Sequence, residues 1–116
     1  MIPIFYHNDK QDYHQIMPGI KVKTLVYGDK SLMVEFLMVK GSKLELHSHP
    51  EEQNGYLVSG RMRLHFGGEV HEVFAGDSWN VPGNMEHSGD VLEDSVIVGV
   101  FAPVRQTYLA YHPHKG

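Results

Sequence analysis

GSKLELHSHPEEQNGYLVSG, residues 41–60, is the stretch on which the fold turns. Its first half alternates apolar and polar positions with the period of two that an extended strand imposes, and it ends at His47. His49 follows two residues on, so a continuing strand sends both imidazoles to one face. Pro50, Glu51 and Glu52 read as a bend, after which Gln53 opens a returning strand. If Gln53 points inward, so do Gly55 and Leu57, and the missing side chain at Gly55 is expected to leave room beside an ion. Tyr56 and Val58 then face outward. Farther along, Val81-Pro82-Gly83-Asn84 turns the chain ahead of His87.

Three imidazoles and one amide oxygen, carried by separate extended segments, form a donor set for a single divalent metal at His47, His49, Gln53 and His87. The alternative for Gln53 is to cap a turn or to hydrogen-bond His87. The chain has no cysteine, so thiolate sites are excluded, and zinc, nickel, iron, manganese and copper all suit the remaining donors. Because every donor is neutral, the ion keeps its double charge and favours a small anionic or hydroxylated ligand.

The same alternation recurs along the chain, and no window of a dozen residues carries a helical stripe, which makes the fold class all-β. Strands are expected at 20–27, 32–39, 43–47, 56–58, 61–66, 70–74, 78–81 and 95–101, with Gly67-Gly68 as a type I′ hairpin turn. Short strands with tight connections avoid exposed edges by closing into a barrel or jelly roll. A chain of 116 residues is expected to be one domain, 1–116, with a motif core at 41–91 and covering segments at 1–19 and 106–116. Ten basic against fourteen acidic residues, with no basic run, argue against nucleic acid as a partner. The first ten residues lack a secretory pattern, and the apolar stretch 96–104 is too short for a bilayer and broken by Gly99 and Pro103, so no membrane partner and a cytoplasmic location are expected.

Other polar residues read as ordinary surface. Glu51 and Glu52 are expected to be solvated in their bend, and alternation sends Glu86 away from the face of His87. His7, His14, His65 and His71 are scattered, and His112-Pro113-His114 imitates the paired spacing without further ligands. Outward Tyr56 and Val58 leave apolar surface that a homodimer would cover.

Gly41-x5-His47-x-His49-x3-Gln53-x6-Gly60 resembles the first motif of the cupin superfamily, with Gln53 where many members carry Glu. Gly76-x5-Pro82-x-Asn84-x2-His87 resembles the second motif, departing at Asn84, where Gly is usual, and at Val91, where Asn is usual. The resemblance implies the double-stranded β-helix, a jelly-roll barrel of the RmlC-like kind. The chain is also similar to the small pectin- and alginate-pathway cupins that linearise unsaturated uronates. Those carry an Asp-x-Phe-x3-Arg signature in the last strand; here Phe101 and Arg105 match and Gly99 replaces the Asp. The resemblance implies Arg105 as a clamp for a substrate carboxylate, Phe101 as a cavity wall, and metal-assisted ring opening or isomerisation of a uronate-like acid. Three histidines around iron with open positions also suit a metal-dependent dioxygenase, and the missing Asp suits a non-catalytic module that binds a small anion, so the sequence does not decide whether the chain is an enzyme.

Overall fold

The computed structural model describes residues 4–113. Eight antiparallel strands run β1 (His14–Met17), β2 (Ile20–Tyr27), β3 (Leu32–Met38), β4 (Lys43–His47), β5 (Glu52–Phe66), β6 (Glu69–Phe74), β7 (Ser78–Val81) and β8 (His87–Ala102), and a 3-10 helix, η1, covers Gln106–Tyr111. Hydrogen bonding links them in the order β1-β2-β3-β8-β5-β6, with β4 on β8 and β7 on β5.

β5 and β8 each serve two layers. In one layer the second half of β8 lies between β3 and the first half of β5, so that Val34, Gly99 and Gly55 stand side by side. In the other, the first half of β8 lies between β4 and the second half of β5, with Leu44, Gly89 and Leu64 in line. Apolar side chains from both layers, among them Val22, Val34, Phe36, Leu57, Met62 and Ile97, meet in one buried cluster. Each such side chain contributes roughly 1.5–3 kcal/mol on burial, which is the force closing the layers on each other.

The alternation pattern locates β2, β4 and β7 to the residue, whereas the separate strands expected at 56–58 and 61–66 are two parts of β5, and 95–101 is the second half of β8. The register slips between Leu57 and Met62, so the turn signal at Gly60 marks a corner inside a strand and not its end. Gly60 has φ +99°, and a Cβ there would lie 2.2 Å from Ser95 Oγ and 2.4 Å from the Asp94 carbonyl oxygen. The Gly67-Gly68 turn forms as expected, both residues at positive φ between β5 and β6. Within the second half of β5, Met62 and Leu64 face inward while Arg63 is exposed.

β1 lies in a stretch not expected to form a strand. The segment before it is tied to β2 and β3 by the fully buried Lys23, whose Nζ donates to Asn8 Oδ1 at 2.6 Å, the Gln11 carbonyl at 2.5 Å and Tyr6 Oη at 3.1 Å. Tyr13 donates to Glu35 beside it. At the other terminus Thr24 Oγ1 donates to the Tyr108 carbonyl, and the Tyr108 ring packs on Phe36 and Phe101.

The corner at Gly60 yields a prediction. Gly60→Ala combines a strained φ with two collisions against β8 and should cost about 2–3 kcal/mol or more, read as a lower urea midpoint at unchanged m. A midpoint within error of the parent would show that the two strands do not cross this closely.

Candidate metal centre

β4 ends at His47, which pairs directly with His87 at the first position of β8, and the two rings lie 4.1 Å apart between centroids. His49 does not continue the strand as its spacing predicts. It sits in the following bend, carried to the same point by a clasp between loops: the Asn84 backbone N–H donates to the His49 carbonyl at 2.7 Å. Gly83 presses on the Pro50 carbonyl, which a Cβ would approach to 2.4 Å. Asn84 has φ +65°, the left-handed region that glycine and then asparagine tolerate best, so the Asn at this motif position keeps the backbone that Gly would give.

Backbone carbonyls fix the tautomer of all three imidazoles. His47 Nδ1 donates to the Glu45 carbonyl at 2.7 Å, His49 Nδ1 to that of Glu51 at 2.9 Å and His87 Nδ1 to that of Met85 at 2.9 Å. A carbonyl only accepts, so each Nδ1 carries the proton and each Nε2 presents a lone pair. The Nε2 atoms of His49 and His87 are buried without a hydrogen-bond partner among the described residues. Candidate ligand atoms of the three histidines lie within 4.8 Å of one another, and they are the only such cluster among the described residues. Orphaned, converging lone pairs of this kind fit a metal ion.

Gln53, Phe101 and Arg105 line the same cavity. Gln53 stands between Val81 and Phe101 in register, and Phe101 is fully buried, with its ring 5.3 Å from that of His49. The Arg105 guanidinium lies over the rings of Phe101 and Tyr108, at 5.1 and 4.2 Å. Gly55 does face inward, yet it leaves no room for an ion: a Cβ there would lie 2.4 Å from the Trp79 indole, which fills the space. Glu51, expected to be solvated, is instead largely buried, with its side chain 14% exposed and Oε1 3.8 Å from His49 Nδ1. Glu86 is exposed, His112 packs on Tyr6 and Tyr27, and His114 lies outside the described residues.

Several wall residues were missed by sequence reading, notably Ile16, Met17, Trp79 and Tyr108. Trp79 had a signal, since it alternates with Val81 on β7. Tyr108 had none beyond its aromatic character in a polar tail. Burial, then the charge of Arg105, holds His49 below its ordinary value. His87 is lowered to about 4, by burial first, with the neighbouring imidazoles and Arg105 adding to it against the hydrogen bond to Met85. Both imidazoles are thus neutral and available as ligands near pH 7.

Residues 34–100 match the family model described as Cupin domain. The chain is 27% identical over 107 residues to the pectin degradation protein KdgF of Dickeya dadantii (strain 3937), covering 90% of this chain and 97% of that protein. The structure of KdgF from Halomonas sp. superposes with a TM-score of 0.86 at 27% identity, over 91% of this chain and 98% of that one. An RmlC-like cupin from Shewanella frigidimarina NCIMB 400 gives 0.85 at 23% identity, over 92% and 96%, a likeness of fold.

The low value at His87 predicts a pH dependence for metal-free protein. Above pH 6.5 the imidazole is neutral folded and unfolded; between 6.5 and about 4 the unfolded chain binds a proton that the folded chain refuses. Stability should therefore fall by roughly 1–3 kcal/mol as pH drops through that window, and His87→Gln should remove this part of the slope. Urea titrations in chelator at pH 7, 5.5 and 4 measure it, and parallel slopes in parent and variant would refute it.

Proposed function

Because this chain belongs to the cupin domain family and gathers three imidazoles of fixed tautomer at the edge of one cavity, we propose that it binds a divalent metal and uses it on a small oxygen-bearing carboxylate. His47, His49 and His87 are the proposed ligands, with Gln53 as the fourth. A bound divalent ion would polarise a ligand oxygen and acidify its proton. Arg105 binds the carboxylate: its guanidinium lies over two aromatic faces, which hold the plane and leave an edge of N–H donors for a bidentate pair. Phe101, fully buried, walls the cavity between His49 and Arg105. The carrying observation is the convergence of the Nε2 atoms beside an arginine on one cavity.

Likeness to the pectin degradation protein KdgF supports a sugar acid as the carboxylate, with ring opening or isomerisation as the reaction. Gly99 favours a second reading. A Cβ there would point at Gln53 Nε2, 3.4 Å away, so the position aims into the cavity but supplies no carboxylate to move a proton. Under this reading the chain binds its anion without turning it over.

Three measurements test the proposal and separate its readings. Protein purified without added metal should carry close to one equivalent by elemental analysis, and His87→Ala should lose it; a metal-free parent that also fails to take up zinc, manganese or nickel would sink the proposal. With metal bound, Arg105→Ala should weaken carboxylate binding about tenfold at unchanged metal content. Gly99→Asp should raise turnover of an unsaturated uronate by about 10²-fold or more, as a restored general acid or base does. Binding without product in both forms would leave the non-catalytic reading.

The outer face also favours a second copy of the chain. Tyr56 and Val58 are 48% and 47% exposed, and Tyr56 adjoins Val98 across the sheet. A homodimer through this face should appear by light scattering at micromolar concentration and be lost in Tyr56→Lys. A monomeric parent would remove it.

A further inference from the structure

The cavity lined by His47 and His87, two of the three clustered imidazoles, encloses about 220 Å³ and has two unlike ends. The imidazoles, Gln53 and Arg105 supply charge and hydrogen-bonding capacity on one side. Apart from Ser88 and Tyr108 the remaining wall is apolar, built largely by Ile16, Met17, Phe36, Leu44, Phe66 and Trp79. Register shows how close the two ends stand, since Phe66 is the cross-strand neighbour of His87 and Leu44 is opposite Gly89, two residues farther along β8. Gly99 extends the apolar side: of the three atoms that a Cβ there would approach most closely, two belong to Phe36 and Val34, at 3.4 and 3.5 Å, and the third is Gln53 Nε2.

A polyhydroxylated ligand entering this space would exchange water for hydrocarbon at most of its hydroxyl groups, a loss that unpaired polar groups always incur. An aryl or branched-alkyl body would exchange water for matching surface. We infer that the cavity selects a small carboxylate with a neighbouring oxygen and an apolar body, of the aryl or branched-alkyl 2-hydroxy acid class, in preference to a polyhydroxylated sugar acid. This rests on the reading in which the metal and Arg105 hold the oxygen-bearing end, and it assigns the other end to β1, β3, β4, β7 and the end of β5.

Calorimetry on the zinc-loaded protein, with mandelate and galacturonate as probes, tests it. Both present a carboxylate beside an oxygen and differ in the body attached. Mandelate should bind at least tenfold more tightly. Met17→Gln, which keeps the volume and adds polarity at a half-buried wall position, should cut that ratio at least threefold by weakening mandelate alone, at unchanged zinc content. Galacturonate binding as tightly as mandelate, or more so, would overturn the inference while leaving the metal and Arg105 reading in place. If neither probe binds the zinc-loaded protein, the underlying reading falls and the inference falls with it.

Discussion

The carbonyls of Glu45, Glu51 and Met85 each hold the Nδ1 proton of an imidazole two residues away, and the chemistry of the cavity depends on these three short bonds. They settle which nitrogen is protonated, aim the other inward, and do so with backbone atoms that no side-chain substitution removes. Burial then keeps His49 and His87 from charging, so the lone pairs stay available while the nearby Arg105 stays positive. A site of neutral donors beside a fixed cation is an environment for anions, whatever the body of the ligand.

How the strands deliver these groups follows from the corner in β5 and β8. A sheet that bends at Gly60 brings the start of β8, carrying His87, against the end of β4, carrying His47. The same bend leaves the start of β5, with Gln53, beside the end of β8, with Phe101. The loop clasp of Asn84 on His49 supplies the remaining imidazole. Local strain at one glycine and one left-handed asparagine thus fixes a constellation drawn from residues forty positions apart.

Much of this was legible in the sequence because strand alternation is a strict rule. Period two placed β2, β4 and β7, turned Gln53, Gly55 and Leu57 inward, and put Glu86 on the outside. It failed where an extended segment is not flat: Gly60 and Asp94 look like strand ends because bulges use the same residues as turns. It also failed where contact is set by distant chain. The space at Gly55 is taken by Trp79 from another strand, and the burial of Glu51 depends on how its loop docks, neither of which a local pattern encodes. Ile16 and Met17 belong to a strand that only its pairing with β2 defines.

That strand is anchored from outside the barrel. The segment leading into β1 is fastened by Lys23, Asn8 and Gln11, none of which lines the cavity, yet β1 itself supplies part of the inner wall. The ribbon that supplies Ile16 and Met17 to the inner wall is thus held by contacts separate from those that orient the three imidazoles.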